Sequence, residues 1–253
     1  MTVVLLTDFD DYYPASMKGV LERHGADYVD AYHGVQRGDV RAGAYVLREY
    51  AREFPSGTVH CVVVDPGVGT DRAAVAVESG GQVFVGPDNG VLAPAAREVG
   101  DPTWYLLPVE DTDSATFHGR DVFAPAAARI DSGEPASEVG EETTEHVDLR
   151  LPEAEVADDE ATAEVVYVDG FGNVVTSLSS TELFPVIGYG SEMTVDGVEL
   201  PFERSYGHVS RGEPLCTVGS HGNLEVAVNH GSASDAFGYS PGDNVHVELT
   251  GSS

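Results

Sequence analysis

Basic residues are scarce in this 253-residue chain: thirteen Lys and Arg, with Lys18 the single lysine, stand against forty-three Asp and Glu, for a net charge of −30. Neutralising nucleic-acid phosphates takes clustered Lys or Arg, and no such cluster exists, so nucleic acid is excluded as a partner. The same acidity disfavours anionic membrane surfaces. It resembles the composition of proteins from salt-loving organisms, where carboxylates keep the surface hydrated, and a halophilic archaeal source is expected. Cysteine is nearly absent. Cys61 lies in an apolar run and Cys216 far from it, which leaves no CxxC pair or disulfide framework and reads as two buried thiols. The amino terminus, Met1-Thr-Val-Val-Leu-Leu-Thr-Asp8, has no basic region, and its apolar run is too short for a signal peptide or a spanning helix, so a cytoplasmic location is expected. The nine histidines are scattered, without HxH, HExxH or Cys-His spacing, and no metal site is expected.

What is present is an α/β pattern followed by a β-rich one. Strands are predicted at Val3–Leu6, Tyr28–Tyr32, 58–64, 73–78, 82–86 and near 103–107. Helices are predicted at Met17–His24 after a break at Pro14, from an Asp39 cap through Phe54, near 90–98 and near 119–130. This reads as an amino-terminal α/β sandwich over residues 1–131 with a central, mostly parallel sheet. Residues 132–162, rich in Gly, Pro, Ser and acid runs, are predicted to be an acidic linker. Residues 163–253 carry short strands at Val165–Val168, Val174–Leu178, Met193–Val195, Leu215–Val218, Leu224–Val228 and Val245–Leu249, a smaller β-barrel-like domain.

The segment His60-Cys-Val-Val-Val-Asp-Pro-Gly-Val-Gly-Thr-Asp-Arg72 runs an apolar strand into Asp65, a tight turn and Arg72. An alternating strand pattern follows, not the helix that a phosphate-binding glycine loop opens, so Gly67 and Gly69 serve to turn the backbone. Asp65 and Arg72 read either as a structural ion pair closing that turn or, with His118 at the entrance to the last helix of the domain, as a group that polarises a water. Asp8, Asp10 and Asp11 follow the first strand. An Asp-x-Asp there is how phosphatases of the haloacid dehalogenase class begin, but those need a later lysine and Lys18 is too close. A carboxylate at that strand end can instead accept hydrogen bonds from both hydroxyls of a ribose. Asp169-Gly-Phe171-Gly-Asn173 reads as a glycine-rich turn whose aromatic suits stacking on a planar base. Ser220-His-Gly-Asn-Leu-Glu225 places a carboxylate on an otherwise apolar strand, with alternation predicting a solvated Glu225 and an ammonium-binding Glu225 as the sharper alternative.

Taken in order, Thr7-Asp-Phe, Met17-Lys-Gly-Val, Val29-Asp through His33, Val64-Asp-Pro-Gly-Val-Gly-Thr-Asp-Arg72, Val85-Gly-Pro-Asp-Asn-Gly-Val-Leu92, Phe117-His-Gly-Arg-Asp-Val-Phe123, Asp169 through Asn173 and Leu224-Glu-Val-Ala-Val-Asn-His-Gly231 resemble the S-adenosyl-L-methionine (SAM) hydroxide adenosyltransferases, hydrolases related to the fluorinating and chlorinating enzymes. The resemblance implies hydrolysis of SAM to adenosine and L-methionine by an activated water, with no cofactor beyond the substrate. It also implies a homotrimer whose active sites lie between one subunit's first domain and its neighbour's second. By matched position, Asp65, Arg72 and His118 correspond to the water-activating group and Asp8 to the ribose-binding carboxylate. Asp169, Phe171 and Asn173 correspond to the adenosine and methionine pocket, and Ser220 and Glu225 to the methionine end. The halogenases carry Tyr at position 65, Tyr-Ser at 118–119 and Trp at 38, where this chain has Asp65, His118-Gly119 and Gly38. Hydroxide is therefore the expected nucleophile, with halide transfer or simple adenosine or SAM binding as the alternatives. Asp10 stands where the family has Gly, and His221 and Asn223 stand where relatives carry Arg and an aromatic.

Overall fold

The computed structural model describes residues 2–109 and 117–249. The chain forms two compact units, Met1–Arg150 and Leu151–Ser253. Position 1 and positions 250–253, at the ends of the predicted domains, lie outside the described residues.

The first unit runs β1 (Thr2–Thr7), α1 (Tyr13–Arg23), β2 (Tyr28–Tyr32), α2 (Val40–Ala51) and β3 (Thr58–Val63). After these come β4 (Ala74–Ser79), β5 (Gln82–Pro87), α3 (Ala93–Val99), β6 (Thr103–Leu107), α4 (Ala124–Asp131), α5 (Ala136–Val139) and β7 (Glu141–Thr143). β3 and all of β1 beyond Thr2 are buried because helices cover both faces of the sheet. Val3 and Leu5 pack with Met17 and Leu21 of α1 and Ala127 of α4, while Val4 and Leu6 are buried on the alternate face and α2 lies against β1. Pro14 does not break the chain before α1 but sits in its first turn, where a missing N–H costs no hydrogen bond and the fixed φ suits the helix. Asp39 caps α2 by accepting from the Ala42 N–H at 2.9 Å. The helix ends at Ala51, short of the expected Phe54, since Pro55 disfavours helical backbone in the residue before it.

The sheet order is β2-β1-β3-β5-β4-β6-β7. It is parallel through β2-β1-β3-β5 and antiparallel from there. The change comes at the β4–β5 hairpin, where Gly80 and Gly81, at φ 56° and 77°, make the two-residue turn that matches strand twist. β1 is flanked by β2 on one side and β3 on the other, so the winding reverses between β1 and β3. Open α/β sheets bind ligands at the carboxyl ends of strands flanking such a point.

His60 of β3 is fully buried, and its Nε2 lies 2.8 Å from Gln82 Oε1. Gln82 Nε2 donates to the carbonyls of Ala51 and Phe54, so Oε1 is the acceptor toward His60 and the imidazole carries its proton on Nε2. Burial holds its pKa down to about 4, the Gln82 hydrogen bond only partly offsetting it. An unfolded imidazole titrates near 6.5. Between those values the unfolded chain takes a proton that the folded chain refuses, so stability falls with falling pH through that window, by roughly 3 kcal/mol. Urea unfolding from pH 7 to pH 4 should show this loss in the wild type and not in His60→Leu; equal slopes in both would remove His60 as its source.

The second unit contains β8 (Glu155–Ala157), β9 (Glu160–Val168), β10 (Val174–Ser179), α6 (Ser180–Leu183), β11 (Ser191–Val195), β12 (Val198–Phe202), β13 (Pro214–Val218), β14 (Asn223–Val228), α7 (Ala233–Phe237) and β15 (Asn244–Glu248). The order β10-β14-β13-β12-β11-β15-β9 closes by pairing β9 with β10 into a seven-stranded barrel, with β8 added outside β9. Leu178, Met193, Phe202, Cys216, Leu224 and Val247 fill its core. β12 is absent from the predicted strands, and it carries Pro201, which has no N–H to give a ladder. The barrel accommodates it because the β12–β13 pairing is confined to Phe202 and Cys216. The predicted linker at 132–162 is divided between the units. α5 and β7 join the first sheet, with β7 pairing β6, while β8 pairs β9. Its acidity marks an exposed surface rather than a lack of structure. Both cysteines are fully buried, which pushes the Cys61 thiol up to about 12. Among the described residues, no helix is long and apolar enough to cross a membrane.

Candidate active site

Asp8 follows β1 directly, and Asp65 follows β3 after Val64. The parallel register Thr7↔Val63 sets the two carboxylates side by side at the reversal point of the sheet. With His118 they line one cavity of about 380 Å³, whose walls include Phe9, Tyr13, Val63 and Phe117.

Asp65 is almost completely buried and ion-paired with Arg72 Nη2, and its Oδ1 accepts the Gly67 N–H at 3.1 Å. Burial raises its pKa above the ordinary carboxylate value, and this outweighs the pull of Arg72, the Gly67 N–H and His118. The result is a carboxylate more basic than one in water, held in one orientation by its own turn. Asp8 is also shifted upward by burial, against the lowering effect of the Gly38 N–H that bonds its Oδ2 at 2.7 Å.

Arg72 occupies a different place from the one expected of a water-polarising cation. It does not line the cavity: Nη2 goes to Asp65 and Nη1 donates to the Ala73 carbonyl at 2.6 Å, so it supports Asp65 from behind. Its Nε is buried without a hydrogen bond, as is His118 Nδ1. His118 immediately precedes a π-helical turn, Gly119–Phe123, a local widening frequent at functional sites. Glycine at its first position relieves a close fit, since a side chain there would push its neighbours aside by a few tenths of an ångström. A Cβ on Gly119 would lie 3.1 Å from the Phe117 ring, 3.2 Å from Met17 Sδ and 3.4 Å from Val63.

On the barrel, Asp169, Phe171 and Asn173 line a cavity of about 760 Å³ together with Tyr206, Asn229 and His230. Asp169 does not present a free carboxylate to this cavity. Oδ1 accepts the Phe171 and Asn173 N–H groups at 2.8 and 2.9 Å, and Oδ2 accepts from Asn173 Nδ2 at 3.0 Å. These bonds hold the turn that presents Phe171, a residue 82 % exposed. Glu225 is buried, contrary to the solvated face that alternation predicts, because Tyr206 and the 219–222 turn cover it. Its Oε1 accepts from Tyr206 Oη at 2.6 Å, and its Oε2 lies 3.3 Å from His221 Nε2. His221 Nδ1 accepts the Asn223 N–H at 3.1 Å, so the proton is on Nε2 and is donated to Glu225. Ser220 is exposed on that turn, and neither it nor Glu225 lines the cavity. Tyr206, bonded to Glu225 and lining the cavity, escaped the sequence reading. Its only signal is an aromatic in a polar stretch after Phe202.

Each unit thus carries a pocket of small-molecule size, one built on buried carboxylates at a sheet reversal point and one on an exposed aromatic at a barrel turn, which defines a ligand-handling protein of the α/β-plus-barrel class. Residues 3–140 match the SAM hydroxide adenosyltransferase N-terminal domain and residues 163–246 the C-terminal domain of the same name. The chain belongs to the SAM hydroxide adenosyltransferase family. An (R)-S-adenosyl-L-methionine hydrolase of Salinispora tropica is 41 % identical over 94 % of this chain and 93 % of its own. One of Thermus thermophilus is 40 % identical over 97 % and 98 %. A fluorinase of Nocardia brasiliensis is 27 % identical over 87 % and 86 %. The crystal structure of an uncharacterized conserved protein from Thermotoga maritima superposes with a TM-score of 0.89 at 34 % identity, covering 97 % of this chain and 99 % of that one.

Proposed function

We propose that this protein hydrolyses SAM to adenosine and L-methionine, with attack of water at the ribose C5′. Buried Asp65, raised in basicity yet fixed by Arg72 and Gly67, and sharing its cavity with His118 and Asp8, is the observation that carries this reading. The sulfonium leaves as neutral methionine thioether and needs no acid. The protein's work is to align a water behind C5′ and accept its proton. The water oxygen forms the new bond to C5′, the C5′–S pair departs with sulfur, and the proton passes to Asp65. His118 orients the water, Arg72 positions Asp65, and Asp8 holds the ribose hydroxyls. Phe171 stacks on the adenine with Asn173 at its edge, and Ser220 and Glu225 serve the methionine end. No cofactor enters the scheme.

The reading includes a homotrimer in which one subunit's first unit and its neighbour's barrel enclose one substrate, and a working environment of concentrated salt. The test is incubation with SAM in concentrated KCl and ¹⁸O-water, with products resolved by mass. Adenosine carrying ¹⁸O at its 5′ oxygen, plus methionine, is expected. 5′-Chloro-5′-deoxyadenosine would make the protein a halide transferase, and retained, uncleaved SAM would make it a binding protein.

A further inference from the structure

The sole lysine of this acidic chain is part of a hydrogen-bonded chain that the catalytic scheme leaves unused. Lys18 Nζ, on α1, donates to Asp30 Oδ2 at 2.7 Å. Asp30 Oδ1, on β2, lies 3.0 Å from His33 Nε2, and His33 Nδ1 lies 2.8 Å from Thr7 Oγ1 at the end of β1. Thr7 Oγ1 also accepts the Phe9 N–H at 3.3 Å. Thr7 is fully buried, so its one hydroxyl hydrogen goes to the acceptor within reach, His33 Nδ1. That leaves the imidazole proton on Nε2, so donation runs from Phe9 through Thr7 and His33 to Asp30, which also accepts from Lys18.

The series ends at the site. Thr7 precedes Asp8, and the loop that begins at His33 ends on Gly38, whose N–H bonds Asp8 Oδ2 at 2.7 Å. The loop is therefore fastened across the end of β1 at two points, Thr7 to His33 and Asp8 to Gly38. We propose that Lys18, Asp30, His33 and Thr7 are positioning residues that fix the Asp8 carboxylate and the Phe9 backbone in the orientation that grips the ribose diol. They touch no substrate and act through Asp8. The inference rests on the ribose-binding reading of Asp8, and its test separates the two. Charged groups facing His33 are Asp30 from β2 and, through it, Lys18 from α1.

The experiment compares inhibition of SAM cleavage by adenosine and by 2′,3′-dideoxyadenosine, together with kcat, KM and melting temperature. The wild type should prefer adenosine. Asp8→Ala should abolish the preference; if it does not, the ribose role falls and the relay's role with it. With Asp8 so established, His33→Leu should cut the preference about tenfold, the worth of a well-placed charge-assisted bond, and raise KM for SAM with kcat little changed. Lys18→Met, at the exposed end, should give a smaller loss in the same direction. His33→Gln should restore the preference, since its amide keeps an acceptor toward Thr7 and a donor toward Asp30 at roughly the ring-nitrogen spacing. A lowered melting temperature in His33→Leu with the preference intact would show a merely structural network and overturn the proposal.

Discussion

Asp65→Asn should lower kcat for SAM hydrolysis by about 10²- to 10⁴-fold, the range for losing a general base, while leaving SAM affinity within a few fold. The substitution keeps the shape of the side chain and its turn contact, because an amide oxygen can still accept the Gly67 N–H. What it removes is the proton acceptor, and with it the anion that faces Arg72. The wild type should also show an acid limb in kcat/KM. Asp65 must be ionised to accept a proton, and burial raises its pKa, so activity falls with falling pH at a higher pH than for an exposed carboxylate. Asp65→Asn should lose that limb along with the rate. Stopped-flow or quenched turnover across pH 4 to 8 measures both effects. Retention of wild-type kcat would place the proton on another group, with His118 the next candidate in the cavity.

The parts of this site that were legible in the sequence are those fixed by strand ends. β1 and β3 read clearly because strands covered on both faces become continuous apolar runs, and the residues after them, Asp8 and Asp65, are where the sheet reversal brings chemistry together. Long-range packing hid the rest. Spacing puts Arg72 close to Asp65 but cannot say that it stands behind the carboxylate, away from the cavity. Period-two alternation predicts a solvated Glu225, yet Tyr206 and His221, 19 and 4 residues away, close over it. Asp169 to Asn173 reads as a glycine-rich turn, but only the folded geometry shows both Asp169 oxygens engaged in it under Phe171. In β11–β12 the signal was present: Asp196-Gly197, both at positive φ, is the two-residue turn that marks a hairpin.

If the proposed trimer shares its sites, mixing two separately impaired variants, assayed well below the wild-type KM for SAM, should restore activity to about one quarter of the wild-type value, the random yield for a site shared by two neighbours in a closed ring. One variant is Asp65→Asn, damaged in the first unit; the other is Phe171→Ala combined with Asn173→Ala, damaged in the barrel. The barrel variant should fail through KM, since base–aromatic stacking contributes about 1–3 kcal/mol and Phe171 is largely exposed. In a mixed assembly, each site drawing its first unit from the barrel variant and its barrel from Asp65→Asn is intact. If instead one chain supplied both halves of its own site, every site would carry one lesion whatever the mixing, and no activity would return. The measurement is SAM turnover after the two proteins are unfolded together and refolded at equal ratio, with sedimentation confirming that trimers re-form. Recovery near one quarter supports shared sites. Full-size assemblies without recovery would confine each site to one chain, and a monomeric protein with wild-type turnover would remove the trimer from the mechanism altogether.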